Sequence, residues 1–369
     1  MSIDKIALTH IRIPLVEPFR ISNGEVTEKD AIIVGVYADG LVGYGESSPM
    51  SGSFYSSDTP ESTWHDLRKI IVPKILDAEP VSIEEVNAIL SDCGGNPFAR
   101  AGLETAFWDL EGQKQDTPLY RLLGGTTDEV DCGLAVGIYS SIDELLLEID
   151  RHLVEGYKRV KIKIQPRWDV EPLEAVRKRF GSIPLMVDAN CAYTSADIGH
   201  LLTLDEFELV MIEQPLHKAD LDGHARLQRE IRTPICLDES AVDTATVDRA
   251  ITLGSCRIVN IKIQRVGGLH EAVRIHDLCA RRKIPVWGGT MPELGIGSAQ
   301  TVHLSTLANF SYPTDVQSSL RWFVDDCIEP LLTVNHGRIR IASGSGNGYR
   351  LDERKLGKYL VRKEEFSAS

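Results

Sequence analysis

Five residues in this chain are of types that can move a proton and are spaced as if by a ruler. They are Lys163, Asp188, Glu213, Asp238 and Lys262, separated by 25, 25, 25 and 24 residues. Each falls late in a short apolar segment, namely "RVKIKI", "LMVDAN", "VMIEQP", "ICLDES" and "IVNIKI". A spacing of one strand plus one helix carries the chain from one parallel strand to the next. Residues so spaced share a level near the strand ends, where a closed barrel builds its site. Three carboxylates at one level repel strongly in a low-dielectric mouth. A divalent cation resolves the repulsion, and oxygen-only ligands select a hard one, Mg²⁺, with Mn²⁺ as an alternative. Lysines flank the acids on both sides. A carboxylate substrate on the metal would then hold its α-carbon between Lys163 and Lys262, with the cation stabilising the enediolate. A lysine must be neutral to accept a proton, and Lys161 beside Lys163 disfavours a second charge there.

The elements that must position these residues follow from the pattern of the rest. "VKIKIQP" alone reads as a solvated edge strand, since Lys161 and Lys163 share one face. In the ring, that face becomes the barrel interior. From residue 126 on, apolar strands alternate with amphipathic helical segments. "CGLAVGI" opens the series, "PVWGGT" is the seventh strand and "FSYPTDV" a weaker eighth. The first third is different. "KIALTHIRI", "AIIVGVYA" and "VGYGES" read as strands, with Asp39-Gly40 as a hairpin turn. "PFRISNGEVTEKD" and "MSGSFYSSDTPES" read as loops, and Thr59-Pro60 opens a helix. In "FARAGLETAFWDLEGQ", Leu103, Ala106, Phe107 and Leu110 make one core-facing stripe. The expected organisation is an α+β domain over 1–125, a barrel over 126–320 and a closing segment over 321–369.

Composition narrows the class. The chain has 369 residues, 43% of them hydrophobic, and a net charge of −14. The length allows about two domains, and the charge argues against a nucleic-acid partner. No apolar stretch is long enough to span a bilayer, and the start "MSIDKIALTH" has no apolar core of a secretory signal. The seven cysteines contain no C-x-x-C pair, which fits reduced thiols in a cytoplasm. Two other chemistries compete with the metal reading: a Schiff-base lysine of the barrel-aldolase kind, and a barrel kept only for binding.

At these residues the chain resembles the enolase superfamily, and within it the muconate-lactonizing group. The likeness is greatest to o-succinylbenzoate synthases and N-succinylamino acid racemases. "KIKIQPRWDVEP", "VDANCAYT", "IEQPL", "TPICLDES" and "VNIKIQRVGG" carry it, and "PFRISNG" and "MSGSFYSSD" extend it over nearly the whole chain. The resemblance implies a (β/α)₇β TIM-like barrel under an α+β N-terminal capping domain. It makes Lys163 and Lys262 the acid/base pair and Asp188, Glu213 and Asp238 the Mg²⁺ ligands, with Lys161 and Asn190 in support. Loops at 19–29 and 50–57 would cover a small-molecule carboxylate, with Phe19 and Tyr55 as contacts. Arg265 matches an arginine of racemase-capable relatives that tunes the lysine equivalent to Lys262. A homo-oligomer follows by analogy. The implied reaction is dehydration to o-succinylbenzoate, with N-acylamino acid racemisation as the alternative, then dipeptide epimerisation or muconate-type cycloisomerisation. Three positions depart from the subgroup: Thr290 stands in a Gly-Gly-Met turn before Met291, Ala135 replaces a serine, and Leu320 replaces the acid before Arg321 and Trp322. All three are expected where substrate is held.

Overall fold

The computed structural model describes residues 2–22, 24–52 and 56–367. Strands β1 (Ile3–Ile21), β2 (Gly24–Ala38) and β3 (Leu41–Ser47) form an antiparallel sheet, and the last strand, Leu360–Ser367, pairs on the outer side of β1. Asp39 and Gly40 turn β2 into β3 at positive φ, 53° and 77°, as the Asp-Gly signal requires. One face of the sheet, with Ile6, Leu8, Ile32, Val34 and Val36, buries against the helix Pro97–Lys114. That helix contributes the expected stripe of Leu103, Ala106, Phe107 and Leu110. Asn96 caps its start, accepting from the amides of Phe98 and Ala99, with Pro97 at the first helical position. Sheet and helix meet at glycines. A Cβ on Gly45 would stand 2.0 Å from the Gly102 carbonyl oxygen, so no larger residue allows this approach.

One expectation is overturned here. Residues 19–29 are not a loop but an extension of the β1–β2 hairpin, paired Phe19↔Val26, Arg20↔Glu25 and Ile21↔Gly24. Phe19, Ile21 and Val26 supply alternation, and Arg20 donates to Glu25 at 2.8 and 3.0 Å across the strands. Thr59-Pro60 does open a helix, with a reciprocal cap between Thr59 and Ser62.

The second sheet is parallel and curled. Strand β4 (Glu129–Asp131) pairs outside it with Arg338–Arg340. The sheet itself holds β5 (Leu134–Val136), β6 (Val160–Lys163), β7 (Leu185–Asp188), β8 (Ile212–Glu213), β9 (Ile235–Leu237), β10 (Ile258–Ile261) and β11 (Val286–Gly288) in sequential order. The segment 309–315 closes the gap. It bridges Val286 through Phe310 and Cys132 through Thr314. This is the weak eighth strand, reduced to single bridges in a run interrupted by Pro313. The barrel with seven strands and an eighth closing segment, under an α+β cap, is the fold expected.

Alternation along the strands sorts the interior. Val160, Ile162, Val187, Ile212 and Ile235 point outward into the layer beneath the helices. Met186, Met211, Cys236, Ile258 and Trp287 point inward and form an apolar floor inside the barrel. The charged residues on the same inward faces lie above that floor. Glu46, at the end of β3, ties the cap to the mouth by accepting from the amides of Leu294 and Gly297, each at 2.8 Å. Among the described residues, no helix is long and apolar enough to cross a membrane.

Candidate active site

Lys163, Asp188 and Glu213 are level in the hydrogen-bond register, paired Lys163↔Asp188 and Asp188↔Glu213. Glu213 then faces Cys236, so Asp238 lies two residues further on, just past the end of β9. Cys236 faces Ile258, which puts Lys262 four residues past that partner. Such steps are the stagger that closes a barrel, and they come in twos because only every second residue faces inward. The near-equal spacing in sequence therefore conceals a rising register that keeps the residues together.

All of them are buried. Lys161 is 3% exposed, Lys163 7%, Lys262 6% and the three carboxylates 1% or less, which rules out the solvated-strand reading. Lys163 Nζ donates to Asp188 Oδ2 at 2.6 Å and to Asn190 Oδ1 at 2.9 Å. Lys262 Nζ donates to Asp238 Oδ2 at 2.9 Å, and Arg265 pairs with the other oxygen of that carboxylate. Lys161 Nζ lies 3.2 Å from Glu213 Oε2 and 3.6 Å from Asp188 Oδ2, and it also holds Asp315.

The charges set one another. Burial opposes the charge on Lys161, yet Asp315, Glu213 and Asp188 raise it above the ordinary lysine value. Lys161 is therefore a fixed cation. Burial likewise opposes Asp188 and Asp238, but Lys163 and Lys161 depress the first and Arg265 and Lys262 the second. Glu213 is different. Burial and the nearby Asp188 charge push it up to about 8, although Lys161 pulls the other way. Glu239 is pushed up to about 7 by burial and by Asp238 and Asp188.

A small cavity of about 40 Å³ opens beside this ring. Phe19, Ala135, Asn190, Thr290, Met291 and Trp322 line it together with Lys161, Lys163 and Lys262. Phe19 meets Trp322 edge-on, with ring centroids 4.7 Å apart, which joins the cap hairpin to the chain after the barrel. Arg265 stands behind Asp238, on the wall of a larger cavity of about 790 Å³ between cap and barrel. Tyr55 lies outside the described residues. Leu320 does not meet its expectation: it is 52% exposed and lines neither cavity. It lies in a short helix, Ser319–Trp322, whose buried residues are Ser319 and Trp322, so the changed acid faces away.

Four residues of the site are absent from the sequence reading. Asn260 Nδ2 donates to Glu213 Oε1 at 2.6 Å. Glu239 Oε1 accepts from Asn190 at 2.9 Å, which links it through Asn190 to Lys163. Asp315 joins Lys161 to Arg159. Asn260 and Arg159 stand two positions before Lys262 and Lys161 on the same inward faces, and that alternation is a signal that reveals them.

The donor set suits a hard divalent cation. Asp188, Glu213 and Asp238 offer only oxygen, and Glu213 is the carboxyl that the resident lysines leave short of positive charge. As the side chains stand, each acid is turned toward a lysine, and the described residues hold no ready group of three ligands. Holding an ion there means that Lys163 and Lys262 release Asp188 and Asp238.

Comparison with known proteins agrees with this geometry. Residues 4–124 match the family described as "Mandelate racemase / muconate lactonizing enzyme, N-terminal domain", and residues 144–355 match "Enolase C-terminal domain-like". The chain is 44% identical to an o-succinylbenzoate synthase of Geobacillus kaustophilus, over 97% of this chain and 96% of that one. It is 42% identical to an N-succinylamino acid racemase of Amycolatopsis sp, over 94% and 95%. A crystal structure of an enolase superfamily member from Listeria innocua superposes with a TM-score of 0.95 at 35% identity, covering all of both chains.

Proposed function

The chain belongs to the mandelate racemase / muconate lactonizing enzyme family of the enolase superfamily, and from that premise we propose that it is an o-succinylbenzoate synthase. The observation that carries the reading is a lysine on each side of one cavity, each beside a carboxylate. The near full-length identity to synthases supports the choice of reaction.

In this reading Asp188, Glu213 and Asp238 hold Mg²⁺, which when bound supplies positive charge to the substrate carboxylate as negative charge develops there. Mn²⁺ offers the same chemistry. Lys161, a fixed cation on the cavity wall, binds that carboxylate and orients it. Lys163, freed from Asp188, takes the α-proton on its neutral nitrogen. Lys262 faces the opposite side and stays charged, holding the enolate by attraction. Lys163, now an ammonium, returns its proton to the departing hydroxyl on the same face, and water leaves syn. Phe19, Ala135, Thr290, Met291 and Trp322 wall the cavity, and the burial of Ala135, Met291 and Trp322 keeps bulk water from the carbanion. Arg265 helps to anchor Asp238 and so fixes where Lys262 stands.

Racemisation of an N-succinylamino acid uses the same atoms, with Lys262 also exchanging a proton. The presence of Arg265 and the 42% identical racemase favour it as a second activity. Both are tested by presenting the purified protein with the synthase substrate and with each enantiomer of several N-succinylamino acids in D₂O. Turnover of the synthase substrate at the higher kcat/KM is expected. Deuterium entering the α-position of both enantiomers adds the racemase activity, and exchange of neither removes it. Turnover of no synthase substrate sinks the main proposal.

A further inference from the structure

We infer that Asp315 is a positioning residue that draws Lys161 toward itself and so weakens its hold on Glu213 and Asp188, the carboxylates of the cation site that Lys161 also contacts. The inference rests on the proposed function, because it assigns Asp188 and Glu213 to that cation. Asp315 is 4% exposed and comes from the short closing segment of the barrel, its amide bonded to the Gly288 carbonyl at 3.0 Å. One of its oxygens accepts from Arg159 Nη2 at 2.8 Å, and the other takes Lys161 Nζ.

Arg159 takes the other oxygen of Asp315 and so shares that carboxylate with Lys161. It is 2% exposed and also donates to the Pro313 carbonyl at 2.9 Å. Its guanidinium occupies space left by Gly133, where a Cβ would come within 2.5 Å. Trp287 bounds both cations, with Lys161 Nζ 5.0 Å and the Arg159 guanidinium carbon 5.1 Å from the ring centre. Lys161 thus has one carboxylate behind it, Asp315, and two before it, Glu213 at 3.2 Å and Asp188 at 3.6 Å. With Asp315 charged, the ammonium divides its attraction. With Asp315 neutral, Glu213 and Asp188 keep it, and it competes with an incoming cation for both. Residues that hold a site's first ligands in place change metal affinity by about 10–100-fold when lost.

The test is Mg²⁺ binding to the full-length protein by calorimetry at one pH, with circular dichroism to confirm folding. Asp315→Asn keeps the shape and the acceptor for Arg159 but removes the charge. Its Mg²⁺ dissociation constant is expected to rise by about 10–100-fold, with Asp315→Glu recovering part of the loss. Arg159→Met separates this from general damage to the barrel. It leaves Asp315 to Lys161 alone, so Mg²⁺ affinity is expected to stay at the wild-type value or tighten. Folded Asp315→Asn that binds Mg²⁺ as the wild type does would overturn the inference. So would an Arg159→Met loss as large as that of Asp315→Asn. Failure of the wild-type protein to bind Mg²⁺ at all is a different outcome, and it strikes the proposed function instead.

Discussion

Lys163→Ala is expected to lower kcat for dehydration by about 10²–10⁴-fold, the usual contribution of a positioned acid or base. The loss should fall on kcat far more than on KM, because Lys161, Phe19 and Trp322 still shape the pocket. It should not be rescued by pH, since Lys161, which shares that face, is held as a cation by Asp315, Glu213 and Asp188. Lys262 lies across the cavity beside Asp238, just after β10, the strand four places round the barrel from β6. Lys262→Ala is therefore expected to lose enolate stabilisation while Lys163 remains able to exchange the α-proton. Single-turnover measurements on the two variants separate these effects. Equal residual rates in both, close to wild type, would remove the lysines from the mechanism.

Asp238→Asn carries the largest expected cost to the fold. Lys262 and Arg265 both donate to this one carboxylate, and the side chains are 7%, 9% and 0% exposed. Neutralising it leaves two buried cations on an amide that can accept hydrogen bonds but supplies no charge. Removing one member of a buried pair costs about 3–5 kcal/mol, because the charge facing it has lost much of its compensation in a poorly solvated place. Urea denaturation of the metal-free protein should show that loss as a lower midpoint with an unchanged slope. Asp131→Asn is the matched control. Its partner Arg338 is half exposed, and water and salt already screen that pair, so little change is expected. A metal-free Asp238→Asn protein as stable as the wild type would mean that Lys262 and Arg265 find other partners. The expected loss of Mg²⁺ affinity in the same variant is a separate reading, since a ligand oxygen loses its charge.

The sequence makes the ring legible because the repeat of one strand and one helix has nearly constant length, and only chemically active types fall at its period. It makes the barrel legible because strands covered on both faces must be apolar throughout, except where they face the mouth. Other features are hidden for physical reasons. The closing segment makes single bridges and contains Pro313, so Asp315 sits in a stretch with little strand signal. Arg20 and Glu25 make the hairpin at 19–26 look like a polar loop, although they pair with each other across it. Leu320 marks a departure from relatives but points to solvent, because sequence alone does not show which way a short helix turns. Lys161 and Lys163 illustrate the difference context makes. Their repulsion, which a single strand suggests, is outweighed by the acids around them, and Lys161 is held charged rather than discharged. Proton acceptance then depends on Lys163 parting from Asp188, an exchange that no single segment reveals.

The most direct test joins the cation to the chemistry. Protein stripped with EDTA is titrated with Mg²⁺ while formation of o-succinylbenzoate is followed by absorbance. The account expects no product from the stripped protein, and product formation that rises with Mg²⁺ and saturates. The same titration of Lys163→Ala should form at least a hundredfold less at saturation. Product formed at full rate in EDTA, or a folded, Mg²⁺-saturated wild type that forms none, would contradict it.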